Sequence, residues 1–111
     1  MIQELKIRNF KSFRDEVELS FEPSTDDRYN SVVTMPDGMK LLRFAVVLGA
    51  NASGKSNLLE AIEFLRGLWN TLPSTNDDGT DVQPFLLRDD ALSFDTEFEL
   101  KFYADGLRYW Y

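Results

Sequence analysis

Gly49-Ala50-Asn51-Ala52-Ser53-Gly54-Lys55-Ser56 is the stretch of this sequence whose residue types and spacing suit chemistry on phosphate. A glycine, four free positions and then Gly-Lys-Ser is the pattern of a loop that points successive backbone N–H groups at an anion. Small residues are needed because a Cβ would crowd the anion, and Ala50, Ala52 and Ser53 keep the loop small. In such a loop Lys55 reaches the outer phosphates of a nucleotide as a point charge. The Ser56 hydroxyl completes the coordination of Mg²⁺, and the helix that follows adds the positive end of its dipole. The plainer alternative is a glycine turn joining a strand to a helix.

The elements needed to hold that loop are expected on either side of it. Leu41-Leu42-Arg43-Phe44-Ala45-Val46-Val47-Leu48 is almost continuously apolar, which predicts a strand buried on both faces of a sheet. After the loop, Leu58, Ala61, Ile62, Leu65 and Leu68 recur at helical spacing with Glu60, Glu63 and Arg66 between them, and the helix is expected to fade at Trp69 to Thr71, ahead of Pro73. Upstream, Leu5 and Ile7 alternate with Glu4, Lys6 and Arg8, a half-buried strand ending in a turn over Asn9 to Arg14. Val17, Leu19 and Phe21 alternate with Glu16, Glu18, Ser20 and Glu22 until Pro23, and these two segments are expected to pair antiparallel.

Ser24 to Asn30 reads as loop, and Ser31 to Met35 with Pro36-Asp37-Gly38 and Met39 onward as a hairpin, since Pro presets φ and Gly accepts a positive one. Ser74 to Asp81 reads as an exposed loop, and Gln83 to Asp95 shows no clear period. Phe98, Leu100 and Phe102 alternate with Glu97, Glu99, Lys101 and Tyr103. Asp105-Gly106 then turns that strand into Leu107-Arg108-Tyr109-Trp110-Tyr111. Because the sequence stops inside this last strand without a polar tail, a truncated domain over residues 1–111 is expected.

Composition narrows the chemistry. With 43% apolar and 14% aromatic residues in 111, one core can form and global disorder is excluded. Cysteine and histidine are absent, which removes disulfides, thiol nucleophiles, histidine triads and Cys/His zinc sites, and suits the cytoplasm. The net charge of −7 is opposite to the basic footprint of a nucleic-acid binder. No apolar run reaches the ~18 residues of a membrane span. The cluster Lys6, Arg8, Lys11 and Arg14 is either a DNA-contacting patch or an ordinary solvated strand face.

Leu5-Lys6-Ile7-Arg8-Asn9-Phe10-Lys11-Ser12-Phe13, taken with Gly49-Ala50-Asn51-Ala52-Ser53-Gly54-Lys55-Ser56-Asn57-Leu58-Leu59-Glu60-Ala61-Ile62, resembles the N-terminal part of ABC-type ATPase heads of the RecF, SMC and OLD-nuclease group. Within it the chain looks most like the bacterial AAA-type ATP-binding proteins tied to phage defence. The resemblance implies an α/β P-loop NTPase fold: antiparallel β-hairpins around a central P-loop strand, and one main helix. It implies that Gly49, Asn51, Ala52, Ser53, Gly54, Lys55, Ser56 and Asn57 contact the phosphates of ATP, with Ser56 as the magnesium ligand. Lys11 would sit beside the phosphates or ribose, its other reading being a solvated turn lysine. Partners implied are the C-terminal half of the head, a second head in a homodimer, and an effector nuclease or DNA reached through other regions.

The sequence departs from that group by what it lacks. A water-aligning carboxylate normally follows a buried apolar strand, and Arg88 interrupts Phe85-Leu86-Leu87-Arg88-Asp89-Asp90, the nearest match, so no catalytic residue is identified. No Leu-Ser-Gly-Gly-like signature occurs, Gln83 could imitate a γ-phosphate-linking glutamine although its placement differs, and Glu60 and Glu63 read as solvated helix charges. Two functions stay open: Mg·ATP binding with hydrolysis dependent on missing sequence, and a non-hydrolysing interaction module with a degenerate loop. GTP is disfavoured because no Asn-Lys-x-Asp motif occurs.

Overall fold

Alternation of apolar and charged residues near the N-terminus does produce strands. In the computed structural model, which describes residues 1–24, 31–70, 79–90 and 93–111, the elements are β1 (Ile2–Arg8), β2 (Val17–Ser20), β3 (Val32–Thr34), β4 (Lys40–Leu42), α1 (Lys55–Asn70), β5 (Glu97–Ala104) and β6 (Leu107–Trp110). The expected loops at Ser24 to Asn30 and Ser74 to Asp81, like the helix end at Thr71, fall largely outside the described residues. Two compact units result, one of Met1–Lys6, Val17–Val47 and Phe98–Tyr111, the other of Ile7–Glu16 and Leu48–Glu97.

The first unit is built on a four-stranded sheet in the order β2-β1-β5-β6 and on the separate pair β3-β4. Both expected hairpins form. Val32 pairs with Leu42 and Thr34 with Lys40, and the intervening turn closes through Met35 N–H to Met39 O, with Gly38 at φ +88°. Lys101 pairs with Trp110 and Ala104 with Leu107. Asp105 and Gly106 both have positive φ, the signature of the tight turn that matches strand twist. Leu5, Leu41, Leu100 and Tyr103 are buried, and buried Gln3 donates from Nε2 to Glu22 Oε1 at 2.8 Å.

Tyr103 falls on the polar side of its strand's alternation, yet it is only 3% exposed. Its hydroxyl donates to Asp37 Oδ2 at 2.6 Å, which supplies the partner a buried phenol needs. Burial and this bond push the Tyr103 pKa up, while the hydroxyl's bond holds the Asp37 carboxyl below its ordinary range. Across the sheet Lys101 Nζ donates to Glu4 Oε1 at 2.7 Å, lowering the pKa of Glu4 and raising that of Lys101.

The second unit buries Ile7, Asn9 and Phe10 together with Leu58, Ala61 and Leu65 of α1, while Leu68 is left 38% exposed. The helix follows the apolar period of its sequence. The central strand before the loop does not follow: β4 ends at Leu42, and Phe44, Val46 and Leu48 are 65%, 72% and 86% exposed. A strand buried on both faces needs hydrogen-bonded neighbours at its edges and helices over its faces. Arg43 N–H still bonds Ser31 O at 2.8 Å, but no strand is formed over 44–48 among the described residues, so the central P-loop strand of the expected fold is not seen there.

Candidate functional site

The loop between Leu48 and α1 turns back on itself. Ala52 and Gly54 take positive φ values of 62° and 88°, Ser53 N–H donates to Ala50 O, and α1 begins at Lys55 with Leu58 N–H bonded to Gly54 O at 3.1 Å. The N–H groups of Lys55, Ser56 and Asn57 lie in the first turn, where a helix has no carbonyl of its own to offer them. At its centre sits the Lys55 ammonium, which donates to Gly49 O at 2.7 Å, Ala50 O at 2.5 Å and Ser53 Oγ at 3.4 Å. Asn51, Ala52, Ser53 and Ser56 are exposed.

Both loop glycines are required by close approach. A Cβ on Gly49 would lie 2.8 Å from Ser53 Oγ, and one on Gly54 would lie 2.9 Å from both Phe13 Cε1 and Ser12 Oγ. The second contact comes from a turn that bridges Phe10 to Phe13, with Asn9 and Lys11 each at φ +50°. Asn9 holds it from one side through Nδ2 to Phe94 O at 2.9 Å, and Thr96 Oγ1 donates to Asn9 O. On the other side Asn57 Nδ2 donates to Ser12 Oγ at 2.7 Å, and the Phe10 and Phe64 rings stand 6.0 Å apart. Sequence spacing could not reveal that Ser12 and Phe13 wall the loop, although both lie in the turn motif that carries the resemblance.

Lys11 lies one residue from that wall but points elsewhere. Its N–H donates to Gln83 O at 2.8 Å, and its ammonium is paired with Glu60 on α1. Glu60 is thus an ion-pair partner rather than a simply solvated charge, whereas Glu63 pairs with Arg66 on the helix surface. Gln83 enters the site through its backbone carbonyl. Asp90, in the nearest match to a water-aligning strand end, is bound by Arg88 Nε at 2.9 Å, and that guanidinium lies 3.7 Å over the Phe94 ring. Of the basic cluster, Lys6 lies near Glu4 and Arg8 near Glu97, at 3.8 and 3.4 Å. Carboxylates thus offset part of its charge.

Among the described residues no group of three acidic side chains converges to hold a metal, and no helix is long and apolar enough to cross a membrane. Ser56 therefore remains the side-chain oxygen on which the magnesium expectation rests. A family model described as an AAA domain, AbiEii toxin-like, type IV toxin–antitoxin (TA) system, matches residues 44–111. That span contains the loop and α1 and leaves the Asn9 to Phe13 turn outside. No curated protein and no solved structure matches the chain.

Proposed function

The chain belongs to this AAA-domain family, the P-loop ATPase type, and on that premise we propose that residues 49–57 bind the phosphates of ATP together with Mg²⁺. The observation that carries the reading is the Lys55 ammonium held inside a tight loop at a helix N-terminus, with loop oxygens 2.5–3.4 Å away. On binding, Lys55 exchanges its loop carbonyls for phosphate oxygens, and the free N–H groups of the first helical turn face the same anion. Ser56 is the side chain that would ligate Mg²⁺, which neutralises phosphate charge when bound. Gly49, Asn51, Ala52, Ser53, Gly54 and Asn57 shape the loop, and Lys11 lies within one residue of its wall.

The finer reading follows the resemblance: an ABC-type head of the RecF, SMC and OLD-nuclease group, in bacterial phage defence, with hydrolysis depending on a C-terminal half and a second head. The exposed run 43–48 favours it, because such apolar residues suit a strand completed by further sheet. Titration of this 111-residue chain with a non-hydrolysable ATP analogue and Mg²⁺ tests the core claim. Lys55→Ala should weaken binding at least about tenfold, since a hydrogen bond to a charged group contributes roughly 1.5–3 kcal/mol. Phosphate release from ATP should be negligible, and turnover abolished by Lys55→Ala would refute the dependence on further sequence.

The same exposed run also favours a second reading, an interaction module whose loop no longer takes nucleotide. A folded sample that binds neither ATP nor GTP at millimolar concentration would select it.

A further inference from the structure

The Lys11 ammonium is paired with Glu60, while its backbone stands next to the residues that wall the phosphate loop. The Lys11 backbone is pinned by its N–H bond to Gln83 O, and the next residue, Ser12, is tied to Asn57 and stands where a Cβ on Gly54 would collide with it. Its side chain therefore starts at the junction of loop and helix. Glu60 follows Ser56 by four residues, so the two share a helix face about one turn, roughly 6 Å along the axis, apart. The ion pair places the Lys11 ammonium at Glu60, one turn after Ser56.

The surroundings reinforce that pull. Glu60, Glu63 and Asp81 line a cavity of about 250 Å³ with Phe10, Phe64 and Gln83, and Lys11 is the cation among its lining residues, 5.8 Å from the centroid of the Phe10 ring. Arg66 offsets Glu63 at the surface. An uncompensated carboxylate one turn from Ser56 would repel a polyphosphate, while a paired one withholds a cation the polyphosphate could use. The pair is also weak enough to exchange, its side chains being 26% and 50% exposed.

We propose that Glu60 is a positioning residue that competes with a bound polyphosphate for the Lys11 ammonium, so that nucleotide capture and opening of the Lys11–Glu60 pair are one exchange. This rests on the nucleotide reading above. The test is a double-mutant cycle on the Kd of an ATP analogue with Mg²⁺, using the 111-residue chain, Glu60→Gln, Lys11→Ala and the double variant, with circular dichroism confirming that each is folded.

Glu60→Gln should bind about two- to five-fold more tightly, the scale of an exposed ion pair. Lys11→Ala should bind more weakly, and Glu60→Gln should bring no gain in the Lys11→Ala background. An unchanged or weaker Kd for Glu60→Gln overturns the proposal, as does an equal gain in both backgrounds, which would mark simple removal of negative charge. Glu60→Ala serves as the second variant and should behave as Glu60→Gln does. Should Lys55→Ala abolish binding while neither Glu60 variant gains, the exchange alone fails. If the unaltered chain binds no nucleotide, or Lys55→Ala binds as well as it does, the nucleotide reading falls and the exchange with it.

Discussion

At Gly54 the backbone has φ +88°, and an added methyl group would approach Phe13 Cε1 and Ser12 Oγ to 2.9 Å. Gly54→Ala therefore combines a left-handed backbone that a Cβ disfavours with overpacking against the turn. It should cost about 2–4 kcal/mol in a urea titration and remove nucleotide binding. Gly67 makes the opposite case: it lies inside α1 and a Cβ there meets nothing within 4 Å. Gly67→Ala should stabilise by about 0.5–1 kcal/mol, read as a raised urea midpoint, because alanine loses less conformational freedom in a helix. The roles of Gly49 and Lys55 in shaping the loop were legible from spacing, since they act on neighbours within a few residues. Those of Ser12, Phe13 and Glu60 were not, because their partners lie more than forty residues away in the chain and no local period encodes the contact.

Among the elements, the two hairpins and α1 were legible because turn residues and periodicity are local. The pairing of β1 beside β5 joins residues about a hundred positions apart, and with it come the electrostatics of the sheet. Glu4 is held below its ordinary value of 4.5 by the Lys101 hydrogen bond, and Asp37 below 3.8 by the Tyr103 hydroxyl. For such depressed carboxyls stability is present above the unfolded pKa and is lost as pH falls through the folded one. Tyr103 is raised above 10.0 and Lys101 above 10.5, so their contributions are present below those values and are lost as pH rises past them. The urea midpoint should therefore be flat between about pH 5 and pH 9.5 and fall on both sides. Tyr103→Phe should remove the alkaline fall due to that residue and lower the midpoint at neutral pH, because Asp37 Oδ2 loses the hydroxyl that donates to it while Oδ1 keeps the Met39 N–H. A midpoint unaffected by Tyr103→Phe would show that the hydroxyl bond does not form in solution.

For the whole molecule, the exposed run before the loop separates this chain from a sheet closed around that strand. With Leu48 at 86% and Val46 at 72% exposure, Leu48→Ser and Val46→Ser should each change stability by less than about 0.5 kcal/mol, measured by urea unfolding. In a sheet-buried strand the same changes would cost several times more, as loss of a buried apolar side chain does. A large loss in the 111-residue chain would show that the run is covered after all. By itself the sequence determined what depends on near neighbours: the phosphate-loop pattern, the amphipathic helix, the hairpin turns and the absence of thiol and imidazole chemistry. Only the tertiary structure decided that Tyr103 is buried on Asp37, that Lys11 lies on Glu60 and that 44–48 forms no strand among the described residues. Burial and ion pairing depend on which distant segments arrive beside a residue, and an apolar run becomes a buried strand only when other strands and helices are there to cover it.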